Sequence, residues 1–176
     1  MRDMEKAVSR IEQAIQAQER IVVYGDYDVD GITATSLLCR SLRQLGADVG
    51  YFIPHRQKDG YGLHKETLDE IIAGGAGLIV TVDCGISAVE EAAAAKDKVD
   101  LIITDHHLPG KELPKAFAVI DPHRADCPYP DKNIAGVGVA LKLCQALWQK
   151  MRGKSFTGDL DIVALGTVAD VVPLLG

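Results

Sequence analysis

Three aspartates at alternate positions, Asp26, Asp28 and Asp30, directly follow the apolar run Ile21-Val22-Val23 in the stretch Tyr-Gly-Asp-Tyr-Asp-Val-Asp-Gly. Two more polar clusters end apolar runs in the same way: Asp83-Cys84-Gly85 and Asp105-His106-His107. Carboxylates crowded beside buried segments cannot all stay ionised unless something positive neutralises them. A divalent cation is the economical answer. Asp oxygens with a His suit Mn²⁺ or Mg²⁺ better than a tetrahedral zinc site, and Cys84 has no second thiol beside it. Several carboxylates can hold two ions about 3.5–4 Å apart, the arrangement that clamps attacking and leaving oxygens in phosphoryl hydrolysis. If the segment stays extended, Asp28 and Asp30 point the same way, so each can serve a different ion.

Each residue also has a plainer reading. Asp30-Gly31 is equally a turn ahead of a helix, and Asp83 can cap a helix starting near Ile86, where Ser87 competes for the same role. A His-His pair is more often a satisfied core or surface feature than a metal site. Taken together the plain readings require three coincidences, because the surrounding elements bring all three clusters to one place.

Those elements are legible as a repeating alternation. Short apolar runs at 21–24, 49–53, 78–82, 101–103 and 117–120 read as buried strands, and 4–18, 32–45, 65–73, 86–96 and 138–151 read as helices. The pattern predicts an α/β fold, a three-layer sandwich around a mainly parallel sheet. Gly46 and Gly74-Gly75 mark helix ends. In such a sheet the strand ends that carry the three clusters share one edge, where open α/β sheets place their ligand crevice. The stretch 121–135, with Pro122, Pro128 and Pro130, is a loop of the length usually kept for function.

At 176 residues the chain suits one domain. A formal charge of −6 argues against a surface that coats nucleic acid, since such binding runs on Lys and Arg. The four cysteines are far apart and form no CxxC pair, which fits a reduced, cytoplasmic setting. No leader or membrane-spanning run is present in the sequence, so no membrane partner is expected. The apolar end Val171-Val172-Pro173-Leu174-Leu175-Gly176 lacks an element to cover it, so more chain downstream is expected.

The segments GDYDVDG, VTVDCGIS, LIITDHHLPG and ALGTVADVVPL resemble, in order, the four signature motifs of the DHH phosphoesterase superfamily. IPHRQKDGYGL, DPHRADCPYP and NIAGVGVALKL are similar to the RecJ branch, the single-strand-specific 5′→3′ DNA exonucleases. The resemblance runs from about Met4 to Leu174. It implies Asp28 as a ligand of one metal and Asp30 as a ligand of the other, Asp83 bridging them, and His106 and Asp170, which closes a helix over 160–169, completing the ligands of the second metal. It further implies that His107 contacts the scissile phosphate or assists the leaving oxygen, with Asp105 and Asp26 holding ligands in place. Much of the superfamily has a His four residues before the Asp28 position; this chain has Tyr24, which leaves the first ion fewer protein ligands.

The implied reaction is metal-dependent hydrolysis of single-stranded DNA to 5′-mononucleotides, in repair and recombination. Arg56, in the loop after the second strand, and His123 and Arg124, after the fifth, are candidate phosphate contacts. Gly136 and Gly138, ahead of the last long helix, would let backbone amides approach a phosphate. Two divalent ions would take the formal charge to about −2, still not a DNA-binding balance. The resemblance therefore implies that residues 1–176 are a DHH catalytic core, followed in the parent protein by a second lobe and an oligonucleotide-binding domain. It also places single-strand-binding protein and helicase among that parent's partners. Alternatives are a DHH phosphodiesterase for short oligonucleotides or cyclic dinucleotides, and a non-catalytic DHH scaffold. A plain nucleotide-binding module has no support, because no phosphate loop follows the first strand.

Overall fold

Alternation of side chains along five strands accounts for the architecture of the computed structural model, which describes residues 1–58 and 60–174. The strands are β1 (Ile21–Tyr24), β2 (Val49–Phe52), β3 (Leu78–Val82), β4 (Asp100–Thr104) and β5 (Ala118–Ile120), and they form one all-parallel sheet in the order β2-β1-β3-β4-β5. Ile21, Val23, Leu78, Val80, Ile102 and Ile120 face one way. They pack under α1 (Met4–Gln16), α2 (Val29–Gln44) and α5 (Gly136–Arg152). Val22, Tyr24, Ile79, Leu101, Ile103 and Val119 face the other way, under α3 (Lys65–Ala73) and α4 (Val89–Ala95). Period-2 side chains in strands buried on both faces produce this three-layer sandwich.

A last helix, α6 (Leu160–Ala169), packs on α2 and α5 and exposes Leu165 and Val168. Leu175 and Gly176 of the apolar terminus lie outside the described residues. Among the described residues no helix is long and apolar enough to cross a membrane. All four cysteines are buried and free.

The chain leaves β1 toward β2 through α2 and returns on the other side to β3. The winding therefore reverses between β1 and β3, and the crevice at such a reversal opens at the C-terminal strand ends. Element boundaries depart from the sequence reading in two places that matter. α2 begins at Val29, three residues early, because the Asp28 side chain caps it by accepting from the Gly31 amide at 2.9 Å. α5 begins at Gly136, so both glycines lie inside its first turn rather than ahead of it.

Candidate metal centre

The helical start of α2 separates the aspartates that follow β1. Asp28, the N-cap, keeps extended backbone, but the chain turns helical at Val29, so the segment is not extended through Asp30 and the expectation that the two point the same way fails: their carboxylates join different groups. Asp28, not Asp30, is the cap. Asp30 is turned inward and buried, and accepts from the amides of Gly136 at 2.6 Å and Val137 at 2.8 Å at the N-terminus of α5. Burial raises its pKa, against the lowering effect of those two amides and of His106. Asp26 is also buried, with Oδ1 lacking any hydrogen-bond partner, and burial raises it too.

After β3 the backbone turns sharply. Asp83 takes φ 61°, a left-handed conformation that a non-glycine residue holds only when its surroundings fix it. Thr81 Oγ1 donates to the Cys84 carbonyl at 2.7 Å and closes the bend. Asp83 caps nothing: α4 starts at Val89, after Ala88, and no side chain, Ser87 included, caps it. Its carboxyl is 1% exposed, and burial, then the charges of Asp30, Asp28 and Asp105, push its pKa far above the carboxylate range. A side chain at position 136 would place Cβ 2.5 Å from Asp83 Oδ1, so the glycine there makes room for this carboxyl.

β4 delivers the remaining groups. His106 Nε2 lies 3.1 Å from Asp83 Oδ1 and 3.8 Å from Asp30 Oδ2, and its Nδ1 lies 3.7 Å from Asp170 Oδ2 at the end of α6. Asp83 Oδ1 and His106 Nε2 are both buried and neither has a hydrogen-bond partner. Two groups of ligand atoms, each within 4.8 Å of one another, result: Asp26, Asp28 and Asp83, and Asp30, His106 and Asp170. A third, Asp83 with His106 and His107, links them. Hard carboxylate oxygens with an imidazole, converging with unpartnered buried atoms, fit one or two divalent cations of the Mn²⁺ or Mg²⁺ kind.

Asp105 is a scaffold for His107. Its Oδ1 accepts from the His106 amide at 2.7 Å, the His107 amide at 3.2 Å and His107 Nδ1 at 2.7 Å, while Oδ2 accepts from the Ile86 amide at 2.9 Å. Burial alone would raise Asp105; the hydrogen bonds and charge of His107 outweigh it and hold the carboxyl below its usual value. The same bond raises the His107 pKa. With Nδ1 committed to an ionised carboxylate, Nε2 is the nitrogen left to act on a ligand.

Three of the expected substrate contacts look different in place. Arg124 is buried, ion-paired with Asp3 at 2.8 Å and Asp126 at 2.9 Å, and donates to the Val119 carbonyl, so it braces the loop after β5 instead of meeting a phosphate. The Gly136 amide is spent on Asp30, and a Cβ at 138 would strike Ile134, so both glycines serve close packing. Arg56 remains exposed, its guanidinium 5.2 Å from the centre of the Tyr27 ring. His123 is partly buried; burial, then the charges of His106, Lys132 and His107, lowers its pKa.

Tyr24 is fully buried on the far face of the sheet, where its hydroxyl donates to the Gly62 carbonyl at 3.0 Å and its ring meets Phe52. Two residues near the centre escaped the sequence reading. Asp121, at the end of β5, is fully buried with Oδ2 unpartnered, and burial lifts it to about 7. Its position directly after an apolar run was the available signal. Tyr61 Oη lies 3.2 Å from His107 Nδ1, and no local pattern announces that contact.

The chain is an all-parallel α/β domain of the doubly wound class, with carboxylates and imidazoles converging at the switch point where such sheets bind their ligands. The family model for "DHH family, N-terminal domain" matches residues 20–167, and the chain belongs to that family. Within it, the chain is 49% identical over 175 residues to the single-stranded-DNA-specific exonuclease RecJ of Bacillus subtilis, covering 99% of this chain and 22% of that protein. It is 47% identical over 184 residues to RecJ of Salmonella typhimurium, covering 97% of this chain and 32% of that protein. The crystal structure of exonuclease RecJ bound to manganese superposes with a TM-score of 0.92 at 40% identity, covering all of this chain and 45% of that one. The chain thus spans between a fifth and a third of the length of these curated relatives.

Proposed function

We propose that this chain is the hydrolytic core of a divalent-metal-dependent, single-strand-specific DNA exonuclease of the RecJ type. The observation that carries the reading is the facing pair of buried, unpartnered atoms, Asp83 Oδ1 and His106 Nε2, at the junction of the two ligand groups. The manganese in a structure of the same fold supports it. Asp28, joined by Asp26, would hold one ion and Asp30, His106 and Asp170 the other, with Asp83 available to both. Bound there, the ions supply Lewis-acid charge to a phosphodiester and to the attacking water.

The chain's own residues do the rest. Asp105 fixes the His107 ring so that Nε2 can hydrogen-bond a non-bridging phosphate oxygen or the departing sugar oxygen. Arg56 is the candidate phosphate contact on the rim and His123 a second, whereas Arg124 is assigned to structure. Single-strand-binding protein and helicase are proposed as partners of the longer protein, whose downstream lobes would supply most of the strand grip.

The test is Mn²⁺ titration calorimetry on wild type and Asp83→Ala, beside digestion of a 5′-labelled single strand. Tight binding lost in the variant, and mononucleotide products from single but not double strands, are expected. Unchanged Mn²⁺ affinity in the variant would remove the shared-ligand assignment. Equal digestion of duplex, or turnover of a dinucleotide as fast as a long strand, would refute the exonuclease reading.

A further inference from the structure

His107 is held from two sides, and only one of them is Asp105. On the other side Tyr61 sets its hydroxyl 3.2 Å from His107 Nδ1 and its ring edge-on to the imidazole, with centroids 5.8 Å apart and planes at 79°. Asp105 accepts a hydrogen bond from the protonated Nδ1 at 2.7 Å, so that nitrogen has no lone pair to offer and Tyr61 Oη can only accept there. The Nδ1–H is shared between a carboxylate and a phenol oxygen, which leaves the imidazole little freedom to rotate.

Tyr61 sits on the loop that joins β2 to α3, between Gly60 at φ 79° and Gly62 at φ 93°, backbone that side-chain-bearing residues rarely adopt. Such a loop has little stiffness of its own. It is anchored by Leu63, buried in the core, and by the next carbonyl along, that of Gly62, which accepts the hydroxyl of Tyr24 from inside the core at 3.0 Å. Tyr24 is 0% exposed and fixed by the sheet, so the bond ties the loop to a rigid element.

We propose that Tyr24 and Tyr61 form a two-tyrosine latch in which the buried hydroxyl of Tyr24 pins the Gly62 carbonyl, and Tyr61, held in place by it, is a positioning residue that fixes the His107 ring for catalysis. Position 24 thus serves the centre through the loop rather than by contact with an ion. The latch rests on the hydrolase reading for its purpose but not for its geometry, and the two can fail separately. Burial, then the charge of Asp105, raises the Tyr61 pKa, which keeps the phenol neutral beside that carboxylate.

The test uses the whole chain with Tyr61→Phe, Tyr24→Phe and the double variant. In the metal-free protein, long-range ¹H–¹⁵N spectra of the histidine rings report the state of each nitrogen. Tyr61→Phe is expected to move the His107 Nδ1 resonance and leave that of His123 in place, and Tyr24→Phe to produce part of the same shift. With Mn²⁺ and a 5′-phosphorylated single strand, Tyr61→Phe should lower kcat about three- to tenfold with KM within about twofold, the range that one modest hydrogen bond covers. Tyr24→Phe should cost less, and the double variant no more than Tyr61→Phe alone, because coupled residues are non-additive. An unmoved His107 resonance in Tyr61→Phe overturns the latch, as does additivity of the two losses. A wild-type chain that neither binds Mn²⁺ nor cleaves DNA sinks the hydrolase reading instead, while the ring spectra still decide the latch.

Discussion

Replacing Asp83 by Asn should stabilise the metal-free chain and abolish its response to metal. The carboxyl is 1% exposed and faces Asp30, Asp28 and Asp105, so without a cation it stays protonated at neutral pH. Keeping it neutral in the folded chain at pH 7.5, when it would ionise in the unfolded one, costs about 1.36 kcal/mol per pH unit above about 3.8, on the order of 5 kcal/mol as a ceiling. Sharing of the proton within the cluster and local relaxation bring the recoverable part to roughly 1–3 kcal/mol. Asparagine keeps the shape, carries no charge, and can hydrogen-bond His106 Nε2 across the existing 3.1 Å. For a domain of this size that is a rise in Tm of about 2–10 °C. The assay is a calorimetric melt of both proteins in chelator and again in millimolar Mn²⁺. Wild type should gain RT ln(1 + [Mn²⁺]/Kd) from the metal and the variant almost nothing, so their order reverses. A variant that melts below wild type in chelator, or that gains as much from Mn²⁺, would refute the claim that Asp83 is a charge held for a cation.

The pH dependence of the metal-free protein follows the same logic. Asp26, Asp30, Asp83 and Asp121 are all raised by burial, so above about pH 4 the folded state binds more protons than the unfolded and stability falls as pH rises. His107, raised by Asp105, adds stability below its unfolded value that is lost as pH rises through the folded one, while His123, lowered, opposes this weakly. Melts from pH 5.5 to 8 should therefore show a falling Tm in chelator and a flat or rising one in Mn²⁺. Arg124→Ala should cost roughly 1–3 kcal/mol in urea unfolding by removing a buried guanidinium and leaving the buried Val119 carbonyl unpaired, its partly exposed partners Asp3 and Asp126 being free to solvate, and leave Mn²⁺ affinity within about twofold of wild type. Gly136→Ala should lose metal binding in calorimetry, because its Cβ would occupy the space of Asp83 Oδ1. Asp105→Asn should lower kcat about 10²-fold or more in the strand-digestion assay, by freeing the His107 ring and its tautomer.

Local pattern determined a good deal of this protein. Apolar runs alternating with helical periods predict a parallel sheet, and a parallel sheet sends every strand end to one edge, so pattern alone brings Asp26 to Asp30, Asp83 and Asp105 to His107 together. Residue type then limited the chemistry to hard divalent cations. What local pattern does not contain is orientation and long-range pairing. Whether Asp28 or Asp30 capped α2 depended on a three-residue shift of a helix start, and that shift put the two carboxyls in different groups. Arg124 was drawn from the crevice by Asp3, a residue at the opposite end of the chain. Tyr61 and Asp121 joined the centre through contacts that only packing creates. Strand ends are addressed by topology, which periodicity encodes; the partner of each buried charge is chosen by desolvation, which acts only once the chain has folded around it.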